Sequence, residues 1–69
     1  MTFEEFILIS HEVLDSYEYV KIEFENQDGY YVISATFSGI ESLKLNINKC
    51  RDMEEYRKYL KNYLNFLDK

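Results

Sequence analysis

The hydrophobic period of this chain changes twice, from 3.6 residues to two near Tyr19 and back again near Asp52. A helix, a block of strands and a second helix, in that order, satisfy such a pattern. Up to Tyr17, the residues Phe3, Phe6, Ile7, Ser10, Val13, Leu14 and Tyr17 fall on one broad helical stripe flanked by Ile9, with Glu4, Glu12 and Asp15 opposite. Thr2 and Glu5 have the spacing of a capping box, in which each side chain bonds the other residue's amide, so the first helix is expected to open there.

From Tyr19 onward Val20, Ile22 and Phe24 alternate with Lys21, Glu23 and Glu25, which predicts a half-buried strand. Asn26-Gln27-Asp28-Gly29 supplies turn residues, with Gly29 suited to positive φ, and a second strand is expected from Tyr30 to Phe37. A four-residue loop at 26–29 would pair Glu25 with Tyr30, Phe24 with Tyr31 and Ile22 with Ile33. Opposed residues share a face, so Val20, Ile22 and Phe24 should point inward with Tyr31, Ile33 and Ala35. Tyr19 and Tyr30 should then project from the outer face beside Glu23, Glu25 and Val32. Ser38-Gly39 marks another turn, after which Leu43, Leu45 and Ile47 alternate with Lys44, Asn46 and Asn48 as a third strand. Asp52 and Glu55 repeat the cap spacing, and Met53, Tyr56, Leu60, Tyr63, Leu64 and Leu67 form a helical stripe running to the end of the chain. The expected fold is α+β: a single αβββα domain over residues 1–69. Its three strands form an antiparallel meander with both helices on one face, because the other face carries Lys21, Glu23, Ser34, Thr36, Lys44 and Asn46.

A chain of 69 residues buries only about 60% of its unfolded surface. A hydrophobic content of 46% still marks a folding chain rather than a disordered one. Cys50 is the only cysteine and has no internal disulfide partner, which favours a reducing compartment. The start Met1-Thr2-Phe3-Glu4-Glu5 is acidic where a secretory leader is basic, and no apolar run approaches the roughly 20 residues that span a bilayer. A cytoplasmic protein without membrane contact is expected. Phe, Tyr, Ile, Asn and Lys supply 29 residues, and Pro, Gly, Ala and Arg only five. Such a skew follows AT-rich codons and points to an AT-rich bacterium, its phage or a mobile element.

Catalysis needs positioned acids, bases, nucleophiles or metals, and the chain offers one His, one Cys and no Gly-rich phosphate loop. No enzyme activity, metal or cofactor is expected. His11 and Asp15, four residues apart, read as an exposed helical pair, and Cys50 as a small residue at the junction of strand and helix.

Charge is the informative feature. Residues 1–28 hold eight acids against Lys21, a net −7, whereas residues 29–69 carry a net +2. An acidic half steers a domain to a basic partner, and a basic protein surface is often one that binds nucleic acid. Seven tyrosines exceed what so small a core can use, and tyrosine is enriched at interfaces. The partner-binding set read from the sequence is Glu12, Asp15, Glu18, Tyr19, Glu23, Glu25, Asp28 and Tyr30. The expected function is a small acidic protein-binding module. Its sharpest form is a phage or mobile-element inhibitor or regulator that sets carboxylates where phosphates would lie on a host nuclease or defence complex. Direct nucleic-acid contact is not expected. One alternative is a homodimer or assembly subunit formed by edge-strand pairing or by surplus helix groups such as Leu8, Tyr59 and Phe66. A further alternative is weak nucleic-acid binding through Lys44, Arg57, Lys58 and Lys61.

Overall fold

The computed structural model describes residues 1–39 and 41–67. Helix α1 (Phe3–Leu14) is followed by strands β1 (Tyr19–Asn26), β2 (Tyr30–Phe37) and β3 (Leu43–Asn48) and by helix α2 (Met53–Leu67). The αβββα fold read from the periodicity is therefore the fold observed, with an antiparallel sheet in the order β1-β2-β3. The last two residues, into which the second helix was expected to continue, lie outside the described residues.

The start of each helix and the end of α1 have identifiable causes. The Thr2–Glu5 box forms in full: Glu5 N–H donates to Thr2 Oγ1 at 3.1 Å, and Thr2 N–H donates to Glu5 Oε1 at 2.7 Å. Those bonds, backbone first, hold the Glu5 carboxyl below its ordinary value. Helix α1 stops at Asp15, whose N–H still reaches the His11 carbonyl, and the Tyr17 N–H closes a tighter last turn onto Leu14. At α2 the Asp52 carbonyl accepts the Tyr56 N–H at 3.0 Å. Among the described residues, no reciprocal side-chain bonds form across the Asp52–Glu55 spacing.

The hairpin register differs from the sequence reading. Asn26 remains in β1 opposite Tyr31, Phe24 pairs with Ile33 and Ile22 with Ala35, a shift of two residues. The turn is shorter than expected because Gln27 N–H bonds the Tyr30 carbonyl, leaving only Asp28 and Gly29 to turn, with Gly29 at φ 85°. A shift of two preserves which face each residue occupies, so the core survives the error.

Phe6, Ile9, Val13 and Leu14 from α1, Ile33, Ala35 and Phe37 from β2, Leu43, Leu45 and Ile47 from β3, and Tyr56, Leu60 and Leu64 from α2 form that core. Phe6 and His11 of α1 lie against Phe24 of β1, at ring separations of 5.7 and 5.4 Å, so α1 covers the β1 side of the sheet and α2 the β3 side. The helices run parallel: Ser10 meets Tyr56 and Glu12 meets Arg57, while Ser16 and Tyr17 lie beside Lys61 and Asn65. Val32, expected on the wet outer face, is buried there, because it lies on the central strand between Glu25 and Asn46.

Candidate protein-docking surface

Topology sorts the acidic residues before any side chain is placed. One end of the domain gathers the close of α1, the start of β1, the β2–β3 connection and the close of α2. The other gathers Met1, the β1–β2 hairpin and the start of α2. There the Met1 nitrogen donates to the Lys49 carbonyl at 2.9 Å and Tyr31 Oη donates to the Met1 carbonyl at 3.0 Å.

The eight residues of the expected docking set do not make one patch. Glu12 lies on the solvent side of α1 and accepts from Arg57 Nε at 2.5 Å, while the same guanidinium also holds Glu54. The hydrogen bonds that Arg57 donates to these two carboxylates, Glu12 first, raise its pKa. Glu23 lies on the outer face of the sheet, 2.8 Å from Lys21 Nζ; that bond and the attached charge lower the Glu23 carboxyl and raise the Lys21 ammonium. Glu25 shares that face and accepts from Gln27 Nε2 at 3.0 Å. Asp28 and Tyr30 sit at the hairpin end. Asp15, Glu18 and Tyr19 are together at the opposite end, where α1 passes into β1.

A β-bulge shapes that second end. The register shifts between Tyr19 and Lys21, so Tyr19 opposes Phe37, Lys21 opposes Thr36 and Val20 has no partner across the ladder. Val20 is consequently 73% exposed rather than part of the inward set with Ile22 and Phe24. Tyr19 changes sides as well: it pairs with a core residue instead of continuing the outer row of Lys21, Glu23 and Glu25. The extra residue lets Tyr17 pack its ring on Phe37 at 6.3 Å while Tyr19 pairs with that same residue, and the Glu18 carbonyl accepts the Ser38 N–H at 3.4 Å.

Sequence reasoning missed two members of this surface. Strict alternation continues through Val20 and points it to the core, and no residue type in Tyr19-Val20-Lys21 signals the bulge that exposes it. Glu41, exposed in the β2–β3 connection at the same end, belongs to the half of the chain that is basic on balance. Among the described residues, Asp15, Glu18 and Glu41 form no ion pair. An open groove of about 400 Å³, lined by Glu12, Val13, Ser16, Tyr17, Lys61 and Asn65, runs beside them between the helices. This end can offer an apolar side chain, a tyrosine ring and carboxylates to a protein surface.

The other singled-out groups fall elsewhere. The His11 ring packs edge-on against Phe24, and among the described residues it makes no ion pair with Asp15. Cys50 is exposed at the β3–α2 junction, its N–H bonded to Asn48 Oδ1 at 2.8 Å. Of the basic set, Arg57 is engaged by its two carboxylates, and Lys44 lies on the sheet face away from α2. Among the described residues no group of three His, Cys, Asp or Glu side chains is placed to hold a metal ion, and no helix is long and apolar enough to cross a membrane.

Compared with protein-family models, with curated proteins and with solved structures, the chain matches none. Fold alone does not carry a function, so the site's chemistry has to.

Proposed function

We propose that this chain is a non-catalytic protein-binding module that docks on a basic protein surface through the end where α1 passes into β1. The observation that supports it is the bulge at Val20, which holds a valine in solvent beside Tyr19 and the carboxylates of Asp15 and Glu18, neither of which forms an ion pair among the described residues. Bulges recur where a strand must re-aim a side chain, and an exposed apolar group ringed by polar ones is the usual composition of an interface centre. The net charge of −5 and its concentration in residues 1–28 favour a basic partner, with a nucleic-acid-binding protein as the class. A regulator or inhibitor carried by a phage or mobile element and acting on a host nuclease or defence complex fits that chemistry and the AT-rich residue usage. A cytoplasmic site of action belongs to the same proposal.

Affinity capture from the native host with tagged protein tests it. Asp15→Lys/Glu18→Lys should lose the captured protein, and raised salt should weaken its capture by the unaltered chain. Glu25→Lys/Asp28→Lys at the hairpin should retain it. Retention by the first variant with loss by the second would move docking to the hairpin and remove this reading.

A further inference from the structure

The two edges of the sheet are not alike. β1 carries the bulge, the unpaired Val20 and the charged row Lys21, Glu23 and Glu25, all features that blunt an edge against pairing. β3 has six residues in unbroken alternation, no bulge and one charged side chain, Lys44. Lys49 N–H donates to the Gly29 carbonyl, which sets the phase of the β2–β3 ladder. The bonded pairs recur every second residue, as Ile47–Tyr31, Leu45–Ile33 and Leu43–Ala35. The N–H and C=O groups of Lys44 and Asn46 therefore point out from the free edge.

Because α1 covers β1 and α2 packs beside α1, the flank of α2 turned away from α1 lies on the β3 side of the sheet. Arg57, Lys61 and Asn65 turn toward α1. Tyr59, Tyr63 and Phe66, spaced i, i+4 and i+7, occupy the flank turned away from it, with the Tyr59 and Tyr63 rings 6.3 Å apart and the Arg51 guanidinium 5.1 Å over Tyr59. Phe66 is 74% exposed and Tyr59 38%.

We propose that this flank binds a second copy of the chain, β3 pairing antiparallel with β3 and α2 packing on α2 about a two-fold axis. Antiparallel pairing of identical strands closes on itself, so the exposed edge and the exposed aromatics of both copies are covered by one operation. Centring the pair on Leu45 or Asn46 sets Lys44 opposite Asn46 or Asn48 of the second copy, which avoids opposing like charges. The exposed parts of Tyr59 and Phe66 amount to roughly 200 Å² per copy. Over both copies the aromatics alone cover about 400 Å², and the paired strand edges add to that toward the roughly 1,000 Å² at which specific interfaces begin. The bulged β1 edges stay outside, so growth stops at six strands.

Sedimentation velocity in reducing buffer, which removes any cross-link through Cys50, tests the proposal. The unaltered chain should sediment at twice its 8.4 kDa mass, with no dependence on salt. Tyr59→Lys/Phe66→Lys and, separately, Asn46→Pro should each raise the dimer Kd about tenfold or more while the far-ultraviolet circular dichroism keeps its shape. Leu8→Lys, on the exposed side of α1, should leave the Kd unchanged. A monomer at every concentration up to the millimolar range would overturn the proposal. So would a dimer that Leu8→Lys breaks and the Tyr59/Phe66 variant does not.

Discussion

The hydroxyl groups of Ser10 and Tyr56 meet at 2.6 Å inside the core, where neither residue has any solvent exposure, and tie α1 to α2. Ser10 has one hydroxyl hydrogen and directs it to the Phe6 carbonyl at 2.7 Å, so the Tyr56 hydroxyl is the donor to Ser10. Two polar groups are thus satisfied in an apolar layer by each other and by a backbone oxygen.

The consequence is an asymmetry between two small substitutions. Ser10→Ala leaves the Tyr56 hydroxyl buried without a partner and should cost about 1–3 kcal/mol. Tyr56→Phe leaves Ser10 bonded to Phe6 and should cost roughly 1 kcal/mol or less. In urea titrations the double variant should be destabilised by less than the sum, since one loss removes the reason for the other. Strict additivity would mean the two hydroxyls do not meet.

Burial raises the Tyr56 pKa above its ordinary 10.0. The folded state then holds its phenolic proton where the unfolded chain releases it. The stability this contributes is complete below pH 10 and is lost as pH rises beyond it, at up to about 1.4 kcal/mol per pH unit. Tyr56→Phe should flatten the alkaline limb of a stability-versus-pH curve measured by urea titration.

The bulge makes a prediction of its own. Val20→Ser should change stability by no more than about 0.5 kcal/mol, the range of ordinary surface positions. Leu60→Ala, in the solvent-free core, should cost about 2–5 kcal/mol. A loss for Val20→Ser approaching that of a core truncation would put the valine inside and restore uninterrupted alternation.

Thr2→Ala removes the cap of α1 and should cost about 1 kcal/mol. The Glu5 carboxyl is held low in the fold by its bonds to Thr2, so its contribution is present above the ordinary value near 4.5 and lost as pH falls through the lowered one. Glu5→Gln should therefore weaken the acid dependence of unfolding below that value.

The element order and the core were legible in the sequence because each rests on a period that many residues repeat. Leu43, Leu45 and Ile47 alternate without exception, and Phe6, Val13 and Leu14 keep their stripe. The hairpin register was not legible, since Asn26-Gln27-Asp28-Gly29 reads as four turn residues and only the Gln27–Tyr30 bond shows that two suffice. The bulge at Val20 was hidden for a different reason: it answers to the packing of Tyr17 on Phe37, a contact between residues twenty apart. Charge was read correctly as a count but not as a surface. Pairing across elements engages Glu12 with Arg57, which no local pattern signals, whereas the outward placement of Glu23 follows from the alternation along β1 and was legible.

The proposed docking end is tested most directly by placing a photo-cross-linking amino acid at position 20 and irradiating cells of the native host. Position 20 should yield a covalent adduct with a basic protein, and position 8, on the exposed side of α1, should yield none. Adducts of equal yield from both positions, or none from position 20 while position 28 reacts, would contradict the proposal.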